Sequence, residues 1–137
     1  MLTVCKNVNP KNCSFPEIPA NGGLICLTME KTRYCKPMCN KGYDFDFLRK
    51  SRLYEKCGDS TNYSWTTQYI GGNKLASCSA SSSTVSGGPT VYFPKRCSDV
   101  SYNHNQEKLM ISTFQTELSA DVSGKLNTKT MCLLCGD

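Results

Sequence analysis

Short apolar clusters separated by turn signals fill the first half of the chain. The segments LICLTM (24–29), YDFDF (43–47) and SWTTQYI (64–70) are rich in residues that favour strands. In YDFDF the aromatic residues alternate with aspartates, which is the period of a half-buried strand. The turn signals between the clusters are Asn21-Gly22, Lys41-Gly42 and Gly71-Gly72. This pattern predicts the short strands of a small all-β unit.

The second half of the chain contains one clear periodic segment, NQEKLMISTFQTELSADV (105–122). Its apolar residues recur at helical spacing, and Gly124 follows as a stop signal. We therefore predict an amphipathic helix that begins near Asn105 and packs its apolar stripe against the rest of the chain. The residues of that stripe are Ile111, Phe114, Leu118 and Val122.

Changes in composition divide the chain into four segments. Residues 1–12 contain Asn, Pro and one cysteine, Cys5, and are predicted to be a connector, and residues 13–78 hold the β-like clusters. Residues 79–90 (SASSSTVSGGPT) have the composition of a flexible Ser/Gly-rich linker. Residues 91–137 then form a helical extension. The predicted fold class is a small disulfide-rich all-β module followed by a short extension with one α-helix.

The cysteine content sets the compartment. Ten cysteines in 137 residues is an even number in a short chain, and only 39% of the residues are hydrophobic. A chain of this kind buries little apolar surface, so disulfides are expected to stabilise it, and these persist in oxidising compartments. We expect a secreted, extracellular protein. The beginning of the chain lacks the apolar core of a signal peptide, so we expect a mature form or a fragment.

Charge and hydropathy exclude two classes of function. The net charge of +5 is too small to indicate nucleic-acid binding without a recognisable motif. No apolar run approaches the length of a membrane span.

Metal binding and redox chemistry are the two alternatives to disulfides for the thiols. Cys35 and Cys39 together with Cys132 and Cys135 have spacings that could supply four thiolates to zinc, but six more cysteines are scattered irregularly and His104 stands alone. The C-terminal C-x-x-C motif lacks the strand and helix context of a thioredoxin-like site. Disulfides are therefore favoured, and no metal or cofactor is predicted.

Residues 13–78 contain a set of residues in a distinctive order, after a proline-rich opening. The set is Cys13, then Cys39 with Gly42 and Tyr43, then Cys57 followed by Gly58 and later Trp65, and finally Cys78. This order resembles the sushi domain, also called the complement control protein module. The resemblance covers about half of the chain.

The sushi resemblance implies a bridge pattern and a core. First-to-third and second-to-fourth pairing implies Cys13–Cys57 and Cys39–Cys78. Each bridge would close a loop of about 40 residues and would stabilise the fold by roughly 3–4 kcal/mol in a chain-entropy treatment. Tyr43 and Trp65 are implied to pack between the bridges. Sushi-like modules act through protein-binding surfaces, and none of their motif residues is catalytic.

The chain departs from the plain module in its additional cysteines. Cys26 and Cys35 could staple a local hairpin over LICLTMEKTRYC. The other four could pair in three ways: a bridge from Cys97 to one of the two terminal cysteines would fasten the helix to the strand-like TVYFP (90–94). Cys5 would then bridge back to the extension or pair with another chain. The four cysteines left open are Cys5, Cys97, Cys132 and Cys135.

Catalysis is not predicted. His104 has no identifiable base or nucleophile as partner, and no glycine pair lies in a phosphate-loop context. Asp44 and Asp46 share a strand face that could suit a cation, but a solvated face is the favoured interpretation.

Two kinds of surface site are candidates. Eight of the sixteen basic residues lie between Lys31 and Lys56, and the densest cluster is Arg49, Lys50 and Arg52. This cluster is a candidate for polyanion binding, with an ordinary soluble loop as the alternative. Asn62 and Asn12 fit the N-glycosylation pattern, and an unmodified surface Asn is the alternative for each.

These observations predict an extracellular protein-interaction or adhesion module without catalytic activity, part of a larger secreted assembly or mosaic. The partner would be another extracellular protein, a further copy of the chain or a sulfated glycan. One alternative is a structural subunit of an extracellular matrix or fibre. A further alternative is a secreted inhibitor or a protein that binds sulfated glycans.

Overall fold

Antiparallel strands dominate the computed structural model, which describes residues 12–49, 52–69 and 73–136. The elements are β1 (Gly22–Met29), β2 (Thr32–Cys39), β3 (Tyr43–Phe45), β4 (Glu55–Cys57), a 3₁₀ turn (Asp59–Thr61), β5 (Cys78–Ala80), α1 (Cys97–Ser101), α2 (His104–Asp121) and β6 (Leu126–Cys135). One sheet has the strand order β4-β2-β1-β6, and a second pairs β3 with β5. The small, mostly β, disulfide-rich class with a helix is confirmed.

The β1–β2 hairpin is the centre of the larger sheet. Glu30 and Lys31 form its two-residue turn, with φ angles of 50° and 67°. This left-handed pair matches the twist of the flanking strands, although the sequence carries none of the Gly or Asn that usually marks such a turn. The hairpin register places Cys26 directly opposite Cys35.

The apolar run in β1 is continuous because both faces of the sheet are covered. Ile25 and Leu27 pack on one face in a cluster with Phe114 of α2. Leu24 lies on the opposite face, in a cluster with Trp65. Since successive side chains in a strand point to opposite faces, a strand buried on both sides needs apolar residues at every position.

The predicted helix over 105–122 is confirmed as α2. Asn103 caps it, and the Asn103 side chain accepts a hydrogen bond from the Gln106 N–H at 3.1 Å. Phe114 and Leu118 are fully buried against the sheet. The apolar stripe therefore packs against the rest of the chain, as its spacing predicts.

The C-terminal segment contributes a strand that the sequence pattern did not reveal. β6 pairs antiparallel with β1 over nearly the length of β1, with Leu24 opposite Leu134 and Cys26 opposite Cys132. The segment predicted as a helical extension therefore shares a sheet and a core with the hairpin of the 13–78 segment. The boundaries proposed for the four segments stay predictions.

Two segments predicted to be extended differ from the expectation. Residues 64–69, the described part of SWTTQYI, contain no strand, because Thr66 is paired with Lys56 through one backbone bond and one side-chain bond. In TVYFP, Tyr92 makes one isolated bridge with Cys39 in place of a ladder. At both places the segment bonds to a neighbouring strand at one residue of that strand, Lys56 or Cys39, and no ladder forms.

The alternation predicted for YDFDF fails at two positions. β3 ends at Phe45, Phe47 is 47% exposed, and Asp44 is buried. The Asp44 carboxylate accepts hydrogen bonds from the backbone N–H groups of Val85 and Ser86 at 3.0 and 3.1 Å. The Ser/Gly-rich segment is thus bonded to β3 through Asp44. The composition of the segment gave no indication of this contact.

Four disulfides lie wholly within the described residues. The structure contains the bridges Cys13–Cys57, Cys26–Cys35, Cys39–Cys78 and Cys97–Cys135. Cys132 is disulfide-bonded as well. Cys5 lies outside the described residues. The Cys97–Cys135 bridge ties α1 to the end of β6.

Candidate binding surface

A buried charge cluster lies at the foot of the loop between β3 and β4. The Glu55 carboxylate is fully buried, and its Oε1 accepts a hydrogen bond from Arg49 Nη2 at 2.8 Å. Its Oε2 pairs with Arg52, whose side chain is 40% exposed. Two guanidinium groups therefore share one carboxylate.

The polyanion prediction is wrong for Arg49. The Arg49 side chain is only 2% exposed, because it neutralises the buried Glu55. Arg52 reaches solvent in part, and Lys50 lies outside the described residues. The three basic residues that are close in sequence are therefore not shown to share a surface.

Arg49 also joins two loops. Its Nη1 donates to the Leu75 carbonyl at 3.1 Å and to Gln68 Oε1 at 3.5 Å. Gln68 Nε2 in turn donates to the Leu48 carbonyl at 3.2 Å. The loop after β3 and the loop that follows Trp65 are consequently held against each other by one buried side chain.

These two loops form a partly exposed surface, which we call the loop patch: Phe47 and Leu48 are exposed, and Tyr69 and Lys74 are half-buried. Phe47 is 47% exposed and Leu48 is 68% exposed. The Phe47 and Tyr69 rings meet edge to face with centroids 5.3 Å apart, and Lys74 Nζ lies 5.1 Å from the Tyr69 ring centroid. Aromatic residues are enriched among the central residues of protein interfaces, and a cation over an aromatic ring is a favourable contact.

The loop patch could not be predicted from the sequence pattern. The alternation in YDFDF predicts a buried Phe47, and nothing in the sequence assigns a role to Tyr69 or Lys74. Both loops contain an aromatic residue, Phe47 in one and Tyr69 in the other, which is a local indication of a binding role. Only the fold shows that the two loops are in contact.

Trp65 and Tyr43 occupy core positions to different degrees. Trp65 is buried in a cluster with Leu24 and several disulfide cysteines, and its Nε1 donates to the Ser14 carbonyl at 2.8 Å. Tyr43 is half-buried at the edge of a second cluster that contains Phe45. Neither side chain lies in the loop patch.

The residues considered for catalysis or metal binding do not lie together in one site. His104 is exposed at the first turn of α2, and Cys35 and Cys39 belong to different disulfides. Within the ranges that the structure describes, no three His, Cys, Asp or Glu side chains are grouped closely enough to hold a metal ion.

Asp44 and Asp46 have separate partners. Burial alone would raise the pKa of Asp44, but hydrogen bonds from the Tyr92 hydroxyl and from three backbone N–H groups outweigh it and lower that pKa. Asp46 is exposed and accepts a hydrogen bond from Ser79 Oγ at 2.5 Å. Asp44 therefore acts as a structural anchor.

Both candidate glycosylation sites are exposed. Asn62 follows the 3₁₀ turn with a left-handed φ of 56°. Asn12 immediately precedes Cys13, which is bonded to Cys57. Exposure makes both amides accessible, and their modification stays a prediction.

Comparison with known proteins identifies no relative: no family model, no curated protein and no solved structure matches this chain. None of the helices that the structure describes has the length and apolar content needed to cross a membrane.

Proposed function

We propose that this chain is an extracellular protein-interaction module of sushi-like type without catalytic activity, and that the loop patch is its binding surface. Four disulfides within the described residues are compatible with an oxidising, extracellular compartment. The observation that carries the proposal is the exposure of Phe47 and Leu48 next to the half-buried Tyr69 ring, which Lys74 contacts.

The support beneath the loop patch favours binding. The Arg49 and Gln68 side chains bond the two loops to each other and to the core. A surface held in place before a partner arrives loses less conformational entropy on association. Exposed aromatic side chains on such a support can contribute strongly to affinity, because each buries a large area with few rotatable bonds.

The test is a binding screen of the purified, oxidised chain against an array of extracellular ectodomains and against itself. The triple variant Phe47→Ser/Leu48→Ser/Tyr69→Ser is expected to weaken any specific interaction by more than about tenfold, since truncation of a central interface residue costs about 2 kcal/mol or more.

The matched control removes exposed apolar side chains elsewhere. Tyr102→Ser and Leu109→Ser change residues that are 84% and 59% exposed near and on α2. Retained binding in the triple variant, or an equal loss in this control, would overturn the assignment of the loop patch. Binding to a second copy of the chain, detected by sedimentation, would instead favour the structural-subunit alternative.

A further inference from the structure

A groove separate from the loop patch lies between β4 and the end of α2. Its volume is about 520 Å³. The polar and aromatic residues that line the groove are Arg52, Tyr54, Lys56, Thr66, Thr67 and Asp121. This size is in the range of pockets that hold a small organic ligand.

The groove has a surplus of positive charge. Arg52 and Lys56 line it, and Asp121 is the one carboxylate among the described residues that line it. Behind Arg52, the buried Glu55 carboxylate is shared with the Arg49 guanidinium. The three basic side chains and the two carboxylates together carry one net positive charge. An anionic ligand is therefore favoured.

Tyr54 provides a fixed aromatic wall. Its ring packs edge to face on Tyr34 with centroids 5.5 Å apart and lies 6.4 Å from the Phe114 ring. The Tyr54 hydroxyl is 3.5 Å from Asp121 Oδ2. An apolar ring face next to a carboxylate suits a ligand that carries both C–H groups and hydroxyl donors.

We propose that this groove binds one acidic sugar unit of an extracellular glycan, carrying either a carboxylate or a sulfate ester. The anionic group pairs with Lys56 and with the exposed part of Arg52. The sugar hydroxyls donate to Asp121, and the C–H face of the ring packs on Tyr54. A ligand that carries both an anionic group and hydroxyl groups can use Asp121 as well as the basic residues of the groove. The site goes beyond the proposed protein-binding function and does not depend on it.

The test is an NMR titration of the oxidised chain with four probes: a hexuronate-containing disaccharide, a sulfated disaccharide, a neutral disaccharide of equal size, and inorganic sulfate. We expect at least one acidic disaccharide to bind with a Kd of about 1 mM and to shift the Tyr54 ring signals. The neutral disaccharide and inorganic sulfate are expected to bind at least fivefold more weakly.

Variants locate the site. Lys56→Gln retains the backbone contacts of β4 and is expected to weaken acidic-sugar binding at least fivefold, whereas Lys95→Gln, at an exposed position, leaves it unchanged. Asp121→Asn is expected to weaken binding of the disaccharide without weakening that of inorganic sulfate.

Three results would overturn the proposal: no binding of either acidic disaccharide at about 20 mM, equal binding of sulfate alone, or equal effects of Lys56→Gln and Lys95→Gln. The loop-patch triple variant should bind the sugar normally, so failure of either proposal is recognised independently of the other.

Discussion

Removing the negative charge of Glu55 should strongly destabilise the fold. In Glu55→Gln, the Arg49 guanidinium, which is 2% exposed, would remain buried without its carboxylate. Leaving a buried charge uncompensated costs about 3–5 kcal/mol. The 40% exposure of Arg52 lets water solvate that second guanidinium, so its share of the loss is discounted. We expect the free energy of unfolding to fall by about 3 kcal/mol.

A double variant separates the cost of an unpaired buried charge from the cost of altered side-chain packing. Arg49→Met/Glu55→Gln removes both charges of the buried pair, so it should lose at least about 1 kcal/mol less than the sum of the two single variants. Urea denaturation with the disulfides intact, followed by Trp65 fluorescence, measures each free energy. A change below about 0.5 kcal/mol in Glu55→Gln, or strict additivity, would refute the described role of the cluster.

Three further outcomes are expected. Because its hydrogen bonds lower the pKa of Asp44, that residue stabilises the fold above its ordinary pKa. The difference in unfolding free energy between wild type and Asp44→Asn should therefore be constant near neutral pH and shrink as pH falls below about 4, as urea titrations at several pH values can show. Glu117→Gln should cost about 2–3 kcal/mol in the same assay, because the buried Lys36 ammonium lies 2.6 Å from the Glu117 carboxylate; a loss below about 1 kcal/mol would contradict this. Non-reducing peptide mapping should find Cys132 joined to Cys5, the one remaining cysteine in the sequence, and a free thiol at either position would contradict that pairing.

Local patterns predicted the elements whose residues carry their own signal. The helical spacing of Phe114 and Leu118 located α2 to within one residue at each end. The apolar run 24–29 located most of β1. In both cases neighbours in sequence share the burial that their periodicity indicates, so no knowledge of distant residues was needed.

Elements that depend on distant partners were not predictable in this way. β6 is a strand because Leu134 and Cys132 pair with β1, more than a hundred residues earlier in the chain. SWTTQYI has strong β propensity, but its described part, residues 64–69, contains no strand and bonds to β4 only through the Thr66–Lys56 pair. Propensity describes a residue's preference, whereas pairing depends on which strand edge is available.

The sequence by itself determined the β-rich, disulfide-bonded character of the chain and the position of its long helix. Only the tertiary structure decided that Arg49 is buried, that Asp44 anchors the Ser/Gly-rich segment, and that Phe47 meets Tyr69 at the surface. The physical reason is that burial and charge pairing depend on what packs against a side chain, and here those neighbours lie from 6 to more than 40 residues away.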